Sequence, residues 1–128
     1  MVIPVLPMLR CLPVVLFALS AAPPGFAGPA DVVGVKVEKS AAGVYSFAVT
    51  VTHLDKGWKH YADAWEVVGP QGEVLGTRVL AHPHVNEQPF TRSLASVGIP
   101  DGVATVRLRA QDKVHGFGGA EIEVKVPR

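Results

Sequence analysis

From residue 32 to residue 126, apolar and polar side chains alternate in short segments that are separated by turns rich in glycine and proline. No stretch of this region keeps a 3.6-residue period, so the pattern favours strands over helices. Alternating segments of this length, at regular spacing, are typical of an all-β sandwich. The pattern predicts seven strands, at residues 32–39, 44–52, 60–68, 73–81, 90–96, 104–111 and 120–126.

Within the predicted strands, large apolar side chains fall on single faces, because successive side chains of a strand point to opposite sides. The second segment places Tyr45, Phe47, Val49 and Val51 on one face. The first segment places Val33, Val35 and Val37 on one face in the same way. Seven strands in a chain of this length predict a seven-stranded immunoglobulin-like or fibronectin-III-like β-sandwich, formed by residues 28–128 as a single domain.

The first 27 residues differ in composition from the rest. Arg10 is followed by an apolar run at residues 11–19, and Gly25-Phe26-Ala27 offers small side chains on either side of Phe26, as before a cleavage site. This pattern is typical of a secretory signal peptide at residues 1–27, with Met8 as an alternative start. The run is too short for a membrane span. We therefore expect a periplasmic or secreted protein whose signal is cleaved.

Removal of this segment changes the composition. Both methionines and the only cysteine are lost, and 11 Lys and Arg (12 less Arg10) remain against 11 Asp and Glu. A balanced charge argues against a nucleic-acid-binding protein, and also against a protein that lies on a membrane after cleavage. The loss of sulfur ligands disfavours Cu(I) and zinc sites of the thiolate type.

All five histidines remain, and they fall in three connections between predicted strands. His53 and His60 flank the second connection, His82 and His84 lie on either side of a proline in the fourth, and His115 lies in the sixth. If successive strands run antiparallel, alternate connections lie at the same end of the sandwich. The histidines are therefore predicted to share one end, and loops on a rigid scaffold commonly carry function.

Histidine is the commonest metal ligand, and neutral imidazole suits Cu(II), Zn(II) and iron. The sequence predicts a transition-metal site with ligands among His53, His60, His82, His84, His115 and Asp112. Asp112 is included because it continues the inward face of the sixth strand, where it can be a ligand or can orient a histidine. His60 is the weakest histidine candidate, since a regular third strand would turn it away from the face of Trp65 unless a β-bulge resets the register. Asp63, on that face, is a further carboxylate candidate.

An alternative interpretation is an immunoglobulin-like module that binds a protein partner through the same loops and holds no metal. Aromatic side chains lie on these connections, and Phe117, between two glycines, is the best candidate for an exposed one. The histidines would then be incidental. No phosphate-binding loop, cysteine nucleophile or serine elbow is present, so the sequence leans against an enzyme.

Two resemblances add to these predictions. Residues 53–67, 82–92 and 114–116, which include His82-Pro83-His84 and Val114-His115-Gly116, resemble a family of small exported bacterial proteins without assigned function. The resemblance covers nearly all of the chain after the predicted signal. It implies export and an immunoglobulin-like sandwich, and it brings no activity.

Shorter stretches resemble superoxide reductases, which are immunoglobulin-like sandwiches whose iron is held by four histidines and one cysteine. Their pattern has a histidine pair ending in His-Tyr before a strand with tryptophan, and later Cys-x-x-His-Gly. Here His53 and His60-Tyr61 precede Trp65, and residues 112–116 take the second place. The resemblance implies a metal-binding end and a redox reaction, but Asp112 stands at the position of the cysteine ligand.

Overall fold

The computed structural model describes residues 28–128, which form strands and contain no helix. The strands are β1 (Asp31–Ala41), β2 (Val44–Thr52), β3 (Ala62–Val68), β4 (Val74–Val79), β5 (Phe90–Gly98), β6 (Thr105–Asp112), β7 (Gly116–Phe117) and β8 (Ile122–Lys125). All seven predicted strands are present, and the all-β sandwich is confirmed. The predicted count of seven is one short, because the two-residue strand β7 forms inside the last predicted connection. The predicted signal peptide lies outside the described residues.

The strands form two antiparallel sheets. One has the order β1-β2-β5, and the other has β4, β3 and β6 with both β7 and β8 paired to β6. In the part of the chain that the structure describes, no helix is long and apolar enough to cross a membrane. Side chains from both sheets form one core, so the two sheets pack face to face.

The core contains the faces that the alternation predicted. Tyr45, Phe47, Val49 and Val51 of β2 are all at most 1% exposed. Opposite them lie the fully buried Trp65 and Leu108 of the second sheet. Burying one large apolar side chain contributes about 1.5–3 kcal/mol to stability. The hydroxyl of Tyr45 donates to the carbonyl oxygen of Pro127 at 2.9 Å, so its polar end is satisfied.

The predicted face of β1 is wrong at its start. Val32 is 2% exposed and Val33 is 50% exposed. The register pairs Val32 with Val51 and Gly34 with Thr50, so Val33 is an extra residue in a β-bulge. The bulge reverses the alternation, and Val35 then returns to the core side.

At one end of the sandwich β2, β4 and β6 end while β3 and β5 begin. The register shows this end directly, since Val51 pairs with Phe90 and Ala62 pairs with Asp112. Three loops meet here, at residues 53–61, 80–89 and 113–115. These loops carry all five histidines, and we call this end the histidine pole.

Candidate metal centre

The carboxylate of Asp55 organises the first loop of the histidine pole. It is buried; Oδ1 accepts a hydrogen bond from the backbone N–H of Ala62 at 3.0 Å and lies 2.5 Å from Nδ1 of His53. Oδ2 accepts from the backbone N–H of His84 at 2.7 Å. Because an ionised carboxylate only accepts, Nδ1 of His53 is the donor. This tautomer leaves the lone pair of Nε2 for another partner.

A side-chain amide joins the same two loops a second time. The backbone N–H of His53 donates to Oε1 of Gln88 at 3.0 Å, and Nε2 of Gln88 donates to the carbonyl oxygen of His84 at 2.9 Å. Asp55 and Gln88 therefore fix the positions of both loops before any ligand binds. A site whose side chains are held in place loses less entropy on binding.

Asp112, the last residue of β6, organises the third loop. Its Oδ1 accepts from the backbone N–H groups of Val114 and His115 at 2.9 and 2.8 Å. The same oxygen lies 3.0 Å from Nε2 of His60 and 3.1 Å from Nδ1 of His115. Burial opposes ionisation, but the backbone hydrogen bonds and His115 together lower the pKa of Asp112 below its ordinary value. Asp112 is therefore a carboxylate at neutral pH.

His53, His60 and Asp112 form a group of potential metal ligands. One ligand atom from each residue lies within 4.8 Å of the other two, and the histidine rings meet edge-on at 4.8 Å. Within residues 28–128, Nε2 of His53 and Oδ2 of Asp112 are buried and have no hydrogen-bond partner. Buried polar atoms are nearly always satisfied, and a ligand bound to this group would give both atoms a partner.

His115 lies beside this group and is partly exposed to solvent. Its ring lies 5.1 Å from that of His60, and its side chain is 34% exposed. Gly116 follows with φ of +64°, a conformation that favours glycine and turns the chain back from β6 into β7. The turn holds His115 beside Asp112, where it can serve as an additional ligand from the solvent side.

His82 and His84 form a separate pair on the second loop, with ring centroids 4.6 Å apart. The buried ring of His84 stacks on Phe90 at 4.0 Å, and its Nε2 lies 2.9 Å from Nη2 of Arg92. Arginine can only donate, so Nε2 of His84 accepts this hydrogen bond, and its lone pair is not available to a metal ion. Burial, then the charges of Arg92 and His82, lower the pKa of His84 below its ordinary value of 6.5. His84 is therefore neutral at pH 7.

The six predicted ligands thus fall into two sets. His53, His60, Asp112 and His115 lie together, while His82 and His84 lie apart and are linked to them through Asp55 and Gln88. Asp63 is outside the three-residue ligand group, although its Oδ1 is buried without a partner among the described residues.

The reason for ranking His60 last was wrong. The third strand begins at Ala62 rather than at residue 60, so strand parity does not apply to His60. A turn precedes it, in which Gly57 has φ of +103° and the backbone N–H of Lys56 donates to the carbonyl oxygen of His60 at 2.8 Å. This turn directs the imidazole to Asp112.

Asp55 is the residue that the sequence analysis missed. Its hydrogen-bond partners Ala62 and His84 lie 7 and 29 residues away, so nothing local shows its role. The signal that was present is the His-x-Asp spacing of residues 53–55 in a loop rich in histidine.

Aromatic side chains at the pole divide into packed and exposed ones. Tyr61 and Phe90 are buried, whereas Trp58 is 66% exposed. Phe117 is 38% exposed and is covered on one face by the guanidinium of Arg109, 4.1 Å from its ring centre. Trp58, rather than the predicted Phe117, is therefore the most exposed aromatic side chain of the described residues.

Comparisons with known proteins add little about the function. No family model matches the chain, and no solved structure matches it. The chain is 39% identical over 95 residues to a protein of Halomicrobium mukohataei that is named "Putative lipoprotein". The match covers 74% of this chain and 46% of the relative, so the chain spans about half the length of the curated relative it matches. That name gives neither a ligand nor a reaction.

Proposed function

We propose that this chain is an exported protein that binds a transition-metal ion through His53, His60 and Asp112, with His115 as a further ligand. The observation that carries the proposal is that Nε2 of His53 and Oδ2 of Asp112 are both buried and unpartnered within one ligand group. Leaving a buried polar atom without a partner costs about 1–3 kcal/mol, and a metal ion offers both atoms a partner at once.

The surroundings of the group support a metal rather than an isolated hydrogen bond. A histidine that ligates a metal through one nitrogen usually donates its other N–H to a carboxylate, as His53 does to Asp55. Nε2 of His60 lies 3.0 Å from Oδ1 of Asp112, so these two side chains already face one another in the folded chain.

The ligand types restrict the metal. Imidazole nitrogen and carboxylate oxygen suit Zn(II), Cu(II) and Fe(II), and three protein ligands leave positions open for water or another molecule. A superoxide-reductase type of reaction has less support, since a carboxylate takes the place of the thiolate at Asp112. We therefore favour metal binding over a redox enzyme.

Export is supported by two independent indications. The first 27 residues have the pattern of a signal peptide. The relative from Halomicrobium mukohataei is named "Putative lipoprotein", a name that indicates an exported protein. We place the protein in the periplasm or outside the cell.

The test is elemental analysis of protein purified from the periplasm without an affinity tag, followed by titration with Zn(II), Cu(II) and Fe(II). We expect His53→Ala and Asp112→Asn to weaken binding by about 100-fold or more, because each removes a ligand. His115→Ala should have a smaller effect, since His115 lies at the open side.

His82→Ala is the matched control, because it removes an imidazole from the same pole but outside the ligand group. Its affinity should equal that of the wild type. Equal affinity of the wild type and all four variants would contradict the metal site, and would leave the interpretation as a protein-binding module.

A further inference from the structure

Two loops of the histidine pole expose large apolar side chains to solvent. Leu54 is 57% exposed, Trp58 is 66% exposed and Val114 is 60% exposed. We call these three side chains the apolar tips. The two loops adjoin, because the backbone N–H of Lys113 donates to the carbonyl oxygen of Tyr61 at 3.1 Å. The apolar tips therefore lie on two neighbouring loops of the same pole.

The charge on these two loops has a single sign at the surface. Lys56, Lys59 and Lys113 are all exposed, whereas the one carboxylate of the two loops, Asp55, is buried beneath them. The charge of the region after residue 27 is balanced, but here it is unevenly distributed. The second loop, at residues 80–89, also exposes an apolar side chain, Val85, but it carries the exposed carboxylate of Glu87 and no lysine.

Packing holds part of this surface in place. The ring of Trp58 meets Tyr61 edge-on at 5.8 Å, and Nζ of Lys113 lies 5.2 Å from the centre of the Tyr61 ring. Tyr61 is itself buried. An exposed tryptophan and a lysine are therefore positioned side by side on a rigid base.

We propose that the histidine pole docks on a lipid surface with anionic headgroups through the apolar tips and the lysines beside them. Tryptophan is enriched where a protein meets the headgroup region, because its ring is apolar and its N–H is polar. Each lysine near an anionic leaflet adds electrostatic attraction. The sequence-based expectation of no membrane contact used the net charge, whereas this proposal uses the local distribution of charge on the two loops.

A lipid surface fits these loops better than a protein partner does. Lysine is depleted in protein–protein interfaces, whereas apolar side chains flanked by lysine are typical of proteins that lie on anionic membranes. Each of the apolar tips is also more than half exposed to solvent. The docking does not depend on the metal site, because none of the apolar tips is a proposed ligand.

The test measures binding of the full chain, as isolated from cells that export it, to sedimented vesicles. One set contains phosphatidylcholine alone, and the other contains roughly one third phosphatidylglycerol. We expect tighter binding to the anionic vesicles, weakened by salt. Trp65 is fully buried, so a blue shift of tryptophan emission on binding would report Trp58.

Trp58→Ala and Lys59→Glu should each lower the partition coefficient on anionic vesicles by about tenfold. Val74→Ala and Lys125→Glu are the matched controls, because these exposed residues lie at the opposite end of the sandwich. Their binding should equal that of the wild type. The substitutions leave residues 1–27 unchanged, so any binding that this segment causes is the same in the wild type and in all variants.

Three outcomes would overturn the proposal. They are no binding by the wild type, equal binding of wild type, Trp58→Ala and Lys59→Glu, and equal binding to the two kinds of vesicle. Each of these outcomes would indicate that the apolar tips contact a protein partner instead of a lipid surface.

Discussion

Nδ1 of His53 and Oδ1 of Asp55 lie 2.5 Å apart, although the two residues are separated by only one position in the chain. Both side chains are fully buried. The carboxylate also accepts the backbone N–H groups of Ala62 and His84, so three donors converge on it. Asp55 therefore links the orientation of a proposed metal ligand to the conformation of two loops.

We expect Asp55→Asn to weaken metal binding by about 10–100-fold, the usual cost of losing a partner that orients a ligand. The asparagine has one acceptor oxygen where three donors need an acceptor, so stability should also fall, by about 1–3 kcal/mol. Metal titration and urea denaturation measure the two effects separately. Asp101→Asn, in an exposed turn at the other end of the sandwich, should change neither.

The neutral state of His84 predicts a pH dependence of stability. Burial and the charge of Arg92 lower its pKa in the folded protein, whereas the unfolded chain takes up the proton at about pH 6.5. As the pH falls through this value, the unfolded state binds a proton that the folded state does not. Stability is therefore greatest above pH 6.5 and decreases toward the lower pKa of the folded protein.

Two substitutions should make this dependence shallower. His84→Gln removes the titrating group but keeps an acceptor for Arg92, and Arg92→Met removes a cause of the lowered pKa. Urea denaturation from about pH 8 to about pH 5 in the presence of a chelator measures the slope. Arg107→Met removes an arginine on β6 that pairs with Glu121, and should leave the slope unchanged. An unaltered slope in His84→Gln would show that other groups cause it.

The strands and the histidine pole could be predicted because both depend on local patterns. Alternation within β2 is enough to identify Tyr45 and Phe47 as core residues, and antiparallel order then places alternate loops at one end. The bulge at Val33 could not be predicted in this way. The bulge arises from how β1 pairs with β2. The sequence of β1 alone does not show it, because Val33, Val35 and Val37 alternate there as in a regular strand.

The division of the histidines into two sets could not be predicted from the sequence either. It depends on Arg92, which occupies Nε2 of His84, and on Asp112, which draws His60 and His115 together. These contacts join residues of different loops. Spacing along the chain places the imidazoles at one pole but does not show which nitrogen atoms remain free.

Metal binding should raise stability, because the ligand group exists only in the folded chain. A free metal concentration 100 times the dissociation constant adds about 2.7 kcal/mol to the free energy of unfolding. Thermal unfolding with Zn(II) and with chelator measures this effect, which should weaken at acid pH because the imidazole ligands must be unprotonated. We expect a much smaller metal-dependent shift in His53→Ala and a full shift in His82→Ala. A shift of equal size in both variants would assign the metal to other residues.

Two adjacent glycines before β8 give the final prediction. A Cβ on Gly119 would overlap the backbone carbonyl of Ala30, whereas a Cβ on Gly118 would meet the ring of Pro29 at an ordinary contact distance of 3.4 Å. This carbonyl belongs to the buried residue just before β1, and Asp31 and Val32 of β1 also hydrogen-bond to Ala120. Backbone can yield only by moving, so Gly119→Ala should detach this segment and cost about 2 kcal/mol or more.

Gly118→Ala, the matched control, should cost less than about 1 kcal/mol, because its neighbour is the edge of a side chain. Urea denaturation of the two variants decides the matter, and equal stabilities would show that the segment before β1 does not depend on the close approach at Gly119.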